Sequence, residues 1–288
     1  MVSYQILMDV SGDILPEYAE KGGLQFLPME YTLRGENRVC TNMETRETLK
    51  LFYDGQRHGD LTQTTQITPA QYTEVFRSYL ERGESILYLS LSSGLSATYQ
   101  SACLAAAELS EEFPEQKVLP VDTLAATGGM GVLSERAMRN RDTGMSLQEN
   151  FEDLQEASHH IQHQFMVPDL MYLRRGGRIS TVEAVFGTAL SVRPIMKIDP
   201  QGKLVVIDKK RGNKQGVHVL LQEFEKNYDP ESGDVIYIVD SDAVELGDEV
   251  RDGVLALYPD AVIRRTGLSP IIGAHTGPGM TAVCYMGR

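Results

Sequence analysis

Between Ser90 and Gln100 the chain reads SLSSGLSATYQ, five small hydroxyl residues and a glycine. The apolar run SILYLSL precedes this segment and an alanine-rich stretch follows it. The segment therefore bridges the end of a strand and the start of a helix, with Ser96 about where the helix begins. A helix N-terminus carries unpaired N–H groups and the positive end of the dipole, which suits an anion. Capping by Ser93 or Ser96 explains the same residues without a ligand. A second hydroxyl cluster, TQTTQIT over Thr62–Thr68, puts Thr64 and Thr65 ahead of a helix that starts at Pro69, and there too a cap is the plain reading. The segment RRGGR sets Arg174, Arg175 and Arg178 around two glycines. Arginine offers a forked donor to carboxylate or phosphate, and glycine lets backbone come close. A solvated turn is the plain alternative. His275 lies in GAHTGPG, where its ring can donate or accept.

Together these groups suit an anionic head group. They also permit a nucleophile. Gly94–Leu95–Ser96 sits on a strand-to-helix turn like a hydrolase elbow, and Ser96, Asp240 and His275 follow in hydrolase order. Thr98 stands where the elbow's second glycine belongs, which disfavours that reading. The letters GxGxxA at Gly277–Ala282 open no expected helix, and Gly129–Met130–Gly131 lacks the dinucleotide context. His159, His160 and His163 could put two imidazoles on one helical face at i, i+4, but no HExxH pattern accompanies them. Phosphate-loop spacing is missing too, so no metal or nucleotide cofactor is expected.

The elements that must position these groups alternate. Strands are expected at Tyr4–Met8, Ser85–Leu91 and Lys117–Val121, with helices at Glu44–Tyr53, Pro69–Arg82, Ser96–Leu109, Gly128–Arg141 and Leu147–His160. Further on, Gln164–Val167 reads as a strand, Val182–Leu190 as a helix, and Pro194–Ile198 with Leu204–Asp208 as a hairpin turned at Pro200–Gly202. Val217–Lys226 and Ala243–Leu257 read as helices, and Val235–Val239, Val262–Arg265 and Thr281–Tyr285 as strands. This pattern predicts an α/β protein of two α/β domains, with a mostly parallel sheet in the first (1–160) and a mixed sheet in the second (161–288).

Composition narrows the partners. The chain has 288 residues, 27 Lys+Arg and 40 Asp+Glu, for a net charge of −13. That balance argues against nucleic acid and against broad docking on an anionic membrane. Cys40, Cys103 and Cys284 show no paired spacing, which suggests a reducing compartment. The opening MVSYQILMDVSGD has no basic segment and reaches Asp9 early, so no secretion signal is expected. No apolar run of about 18 residues suggests a membrane span. A cytoplasmic location is the expectation.

Taken as a set and in order, these segments resemble the DegV family of bacterial fatty-acid-binding proteins. The carriers are Asp9–Ser11, TTQIT at Thr64–Thr68 (similar to the family's TSQPS), SSGLSATYQ at Ser92–Gln100 (similar to SSGLSGTYQ), YLRRGGRIS at Tyr172–Ser180, Arg193–Pro194–Ile195, and GAHTGPG at Gly273–Gly279 (similar to GTHTGPG). The resemblance runs from Asp9 to the C-terminus. It implies two α/β domains around one long-chain fatty acid, which some members hand to a separate fatty acid kinase that phosphorylates the carboxylate. It also implies that Thr64 and Ser96 hold the carboxylate and that Arg178 and His275 lie near it. Ile67 replaces the family's proline, Ala97 its glycine, and DVSGD its commoner DSTAD, leaving the role of Asp9 open. The physics is consistent with such a ligand. Burying about 15 methylenes at about 0.8 kcal/mol each gives a gross term near 12 kcal/mol, against which association and ordering costs count. A buried carboxylate must be hydrogen-bonded, which the hydroxyls and guanidinium would provide.

Overall fold

The apolar run at the N-terminus forms the first strand of a parallel sheet in the computed structural model, which describes residues 4–42, 44–179 and 192–288. That sheet has the order β2-β1-β6-β7, where β1 is Tyr4–Asp9, β2 Gln25–Leu27, β6 Ser85–Ser90 and β7 Val118–Asp122. All three pairings are parallel. A strand buried on both faces needs no polar alternation, and β1 and β6 accordingly read as near-continuous apolar runs. Beside it lies a three-stranded antiparallel sheet of β4 (Glu36–Cys40), β3 (Met29–Leu33) and β5 (Gln63–Thr65), which the sequence reading did not anticipate. The second half of the chain builds a six-stranded sheet, β10-β9-β8-β13-β11-β12. Its strands are β8 (Ile161–Met166), β9 (Val192–Ile198), β10 (Leu204–Arg211), β11 (Ile236–Asp240), β12 (Ile263–Gly267) and β13 (Thr281–Met286). Only β11 and β12 run parallel, so this sheet is mixed, as expected.

The helices among the described residues are α1 (Pro16–Lys21), α2 (Arg46–Arg57), α3 (Pro69–Leu80), α4 (Thr98–Glu112), α5 (Thr127–Asp142), α6 (Leu147–Ser158), α7 (Met171–Arg175), α8 (Asn213–Asn227), α9 (Val244–Leu257) and α10 (Pro270–Thr276). Three differ from the sequence reading in ways that matter for the site. Helix α4 starts at Thr98, so Ser96 stands two residues outside it. Helix α6 ends at Ser158, with His159 as its C-cap, so His163 belongs to β8 and shares no helical face with the other histidines. The glycine-rich GAHTGPG is half helix: α10 begins at Pro270, where a missing N–H costs little, and carries His275 near its end. The helix expected over Val182–Leu190 lies outside the described residues.

Helix α5 lies between the two sheets. One buried cluster joins Ile6, Met8 and Leu87 of the first sheet to Tyr237, Val239 and Cys284 of the second, with Met130 and Leu133 of α5 among them. The glycines at the start of α5 permit this approach. A Cβ on Gly128 would stand 2.7 Å from the Tyr237 Cβ, and one on Gly129 would stand 1.9 Å from His163 Nε2. The Gly129–Met130–Gly131 spacing therefore serves packing.

Candidate functional site

One side of the site is built from the strand ends of the first sheet. Asp9, at the end of β1, is fully buried and accepts from Tyr88 Oη at 2.9 Å, Leu91 N at 2.9 Å and Ser11 N at 3.1 Å, and also from Ser11 Oγ. Burial pushes its pKa up, and these donors oppose the shift. Asp9 thus fixes the course of the chain as it leaves β6, which is the structural role that the sequence left open. The loop that follows is held from two more sides. Asp122 Oδ1 accepts from Ser93 N at 3.0 Å, and Ser92 Oγ donates to the Gly202 carbonyl at 2.8 Å. Gly202 belongs to the turn between β9 and β10. A Cβ on Gly94 would stand 2.5 Å from that same carbonyl oxygen, so the hairpin tip rests directly on the loop.

On this loop Ser96 Oγ lies 2.8 Å from Thr98 Oγ1 and accepts from Thr98 N at 3.3 Å. Ala97 is the N-cap residue of α4 and supplies no side-chain cap. Thr64 sits on β5, opposite Tyr31 of β3. Its Oγ1 lies 2.9 Å from His275 Nε2. The cap of α3 is Thr68, in a reciprocal capping box with Gln71, so Thr64 is not spent on capping.

Arg178 ties the RRGGR segment to the same place. Its Nε donates to the Leu95 carbonyl at 3.2 Å, and its Nη1 donates to the Gly176 carbonyl. Among the described residues no carboxylate pairs with it, although the side chain is half-buried and burial lowers its pKa. His275 Nδ1 is buried with no partner among the described residues. It faces Gly176, where an added Cβ would stand 2.3 Å away, so this glycine is needed for space. Burial, and then the charge of Arg178, push the imidazole pKa down to about 4. A neutral ring can donate from Nε2 to Thr64 Oγ1, which leaves the threonine proton free for an anion.

All four residues, Thr64, Ser96, Arg178 and His275, line one cavity of about 360 Å³. Its remaining walls are largely apolar and come from both halves of the chain, including Leu95, Phe165, Leu173, Ile198, Leu204 and Met280. Thr64, Arg178 and His275 also line an adjoining cleft of about 430 Å³, whose other residues include Asp60, Tyr172 and Arg175. Three polar side chains therefore stand where an apolar chamber meets a polar cleft. A half-buried guanidinium with no carboxylate partner among the described residues, together with two hydroxyls, can take a carboxylate there, and the chamber can take an alkyl chain.

The hydrolase alternative is not assembled. Asp240 receives Arg46 Nη1 at 2.8 and 2.9 Å, Arg265 Nη1 at 2.9 Å and Ala243 N at 3.0 Å. With its carboxylate so engaged, it does not orient His275, whose Nε2 bonds to Thr64. No group of metal-binding spacing occurs among the described residues. The cavity also contains His163 and Cys284, which the sequence reading did not assign to a site. The available signal was the alternation Ile161, His163, Phe165, which puts His163 on the same face as two apolar residues.

Comparison with known proteins matches this arrangement to one family. The family model for DegV, described as an uncharacterised protein family, matches residues 3–288. A DegV domain-containing protein of Lactococcus lactis is 36% identical over 287 residues, covering 100% of this chain and 99% of that protein. Among solved structures, a DegV family protein of Ruminococcus gnavus, refined with vaccenic acid, superposes with a TM-score of 0.86 at 22% identity, covering 99% and 100% of the two chains. The fatty acid kinase B3 protein of Streptococcus pneumoniae, loaded with linoleic acid, gives a TM-score of 0.85 at 21% identity and covers 99% of each chain.

Proposed function

The chain belongs to the DegV family, and from that membership and the geometry of the cavity we propose that it binds a long-chain fatty acid. The alkyl chain lies in the apolar chamber, and the carboxylate meets Thr64 and Ser96, with Arg178 and His275 supporting it. The observation that carries this reading is Arg178, a half-buried guanidinium at the chamber's edge with no carboxylate partner among the described residues. A cation in such a place is stabilised by a bound anion. The acids named for the Ruminococcus gnavus and Streptococcus pneumoniae proteins support the ligand class.

Equilibrium binding of palmitic acid and of the uncharged hexadecanol tests the head-group placement. Arg178→Gln is expected to weaken palmitic acid at least tenfold and to leave hexadecanol within about twofold, since a hydrogen bond to a charged group contributes about 1.5–3 kcal/mol. Equal loss for both ligands, or loss for neither, places the carboxylate elsewhere.

On this reading the protein is a carrier, and it presents its ligand to a fatty acid kinase that supplies the phosphoryl chemistry. The adjoining cleft would give a phosphoryl donor access to the carboxylate. Arg175 lines that cleft, and the exposed Arg174 and the run Lys209–Lys210–Arg211 offer basic groups on an acidic molecule. Such groups suit an acidic patch on the partner. Arg211→Glu is expected to slow kinase-dependent acyl-phosphate formation and to leave fatty-acid affinity unchanged. Equal turnover would remove Arg211 from the docking surface.

A further inference from the structure

Two spaces meet at the head group, and one arginine lines only the outer one. Thr64, Arg178 and His275 line both the chamber and the adjoining cleft of about 430 Å³, whereas Arg175 lines the cleft alone. Arg175 is the last residue of α7, and its guanidinium carbon stands 5.1 Å from the centre of the Tyr172 ring. That ring is a fixed platform. Tyr172 Oη donates to the Gln56 carbonyl at 3.2 Å, and the ring packs so closely on Gly277 that a Cβ there would stand 2.4 Å from Tyr172 Cδ2. A guanidinium held at an aromatic ring keeps N–H groups free for an acceptor. Among the described residues no carboxylate pairs with Arg175. Asp60, in the wall of the same cleft, accepts from Arg34 Nε at 2.8 Å, so its charge is already matched. The cleft therefore offers two guanidiniums, Arg175 and Arg178, without a carboxylate of their own.

A free fatty acid uses only part of this. Its head group carries one negative charge, and Arg178 with the two hydroxyls can meet it from the chamber side. A phosphorylated carboxyl is larger and more strongly charged. When a carboxylate oxygen attacks the terminal phosphorus of a nucleoside triphosphate, a new O–P bond forms, the bond to the diphosphate breaks, and the diphosphate leaves with the electron pair. The phosphate so gained brings roughly 1.5–2 negative charges and three acceptor oxygens. With the alkyl chain in the chamber, that phosphate needs space on the head-group side. The cleft is the space that shares Thr64, Arg178 and His275 with the chamber.

We propose that Arg175 and Arg178 form a phosphate subsite in this cleft, so that the protein holds a long-chain acyl phosphate as well as the free acid, and that Arg175 touches only the phosphorylated head group. The inference rests on the fatty-acid reading and adds the phosphorylated acid to its ligands. Arg178 serves both head groups because it lies where the two spaces join.

Equilibrium binding of palmitic acid and of hexadecyl phosphate, a stable stand-in with its phosphate at the same place along the chain, tests this on the purified protein. Arg175→Gln is expected to weaken hexadecyl phosphate about fivefold or more and to leave palmitic acid within about twofold. Arg174→Gln removes the same charge from a neighbour that does not line the cleft, and is expected to shift neither ligand by more than about twofold. Both arginines are exposed, so neither substitution disturbs the core. Equal loss for both ligands in Arg175→Gln, loss for neither, or an equal loss of hexadecyl phosphate in Arg174→Gln overturns the inference alone. Tighter, Arg175-dependent binding of palmitoyl lysophosphatidic acid than of hexadecyl phosphate also overturns it, because the cleft would then serve a glycerophosphate head group. Binding of palmitic acid without hexadecyl phosphate again removes the inference and leaves the fatty-acid reading standing. Binding of neither overturns both.

Discussion

Thr64 and Ser96 reach the cavity from different elements, a short antiparallel strand and the loop before α4. If both hydroxyls serve one carboxylate, removing either weakens the site and removing both costs less than the sum. Ser96→Ala is expected to lower palmitic-acid affinity by roughly ten- to a hundredfold, with partial non-additivity against Thr64→Ala in a double-mutant cycle. Parent-like affinity in Ser96→Ala contradicts the placement. The two cavity histidines also leave a mark on stability. His163 and His275 have pKa values of about 4 in the fold, against 6.5 for an unperturbed histidine. Between pH 6.5 and 4 the unfolded chain binds protons that the folded chain refuses. Their contribution to stability is therefore complete above pH 6.5 and is lost as pH falls toward 4. Asp13 acts the other way. Burial lifts its carboxyl from 3.8 to about 7, so its contribution is lost as pH rises through 7. In melting curves of the ligand-free protein, His163→Phe is expected to flatten the fall in Tm on the acid side, and an unchanged profile would count against a neutral buried ring. Residue types were the most legible part of the sequence, since hydroxyls, guanidinium and imidazole stand out by chemistry. What the sequence could not show is pairing. That Thr64 meets His275, 211 positions away, depends on how α10 packs on β5.

The β9–β10 hairpin is the element that closes the chamber over the head-group loop. Ile198 and Leu204, on either side of its turn, line the cavity, and Gly202 in the turn accepts from Ser92. Gly202 has φ +73°, and a Cβ there would stand 2.0 Å from Ser92 Oγ. Gly202→Ala therefore meets both a left-handed backbone and a steric contact, which together cost about 1–3 kcal/mol. A lower Tm and faster release of a bound fluorescent fatty acid are expected, measured by thermal melting and stopped-flow dissociation. Unchanged release would mean that the hairpin does not retain the ligand. Long periodic elements were readable because burial imposes their pattern. The hairpin and most long helices fall near their expected positions, with ends shifted by a few residues. Shorter elements carried too little pattern. The strand β5 is only Gln63–Thr65, three polar residues, and it is a strand because β3 offers it an edge. The helix α10 is short, and the glycines around His275 obscured it.

At the scale of the whole molecule, the chamber exists because two sheets share one core through α5, and its walls draw on residues from Met29 to Cys284. A ligand there touches both halves of the chain and is absent from the unfolded state. Saturating fatty acid should therefore stabilise the fold, by about 2.7 kcal/mol at a hundredfold excess over Kd. A Tm that does not rise with added palmitic acid would argue against a ligand in the shared core. The α/β class and the mixed second sheet were legible from strand–helix alternation. The chamber was not, because cavity walls and solid core are built from the same apolar residues, and only the resemblance of the polar motifs pointed to a ligand. Native mass spectrometry of the protein purified from bacterial cells, followed by solvent extraction, is the most direct measurement of whether that chamber holds a fatty acid. One long-chain fatty acid per chain, released on denaturation, is the expected result. A bare polypeptide mass that stays unshifted after palmitic or oleic acid is added would contradict it.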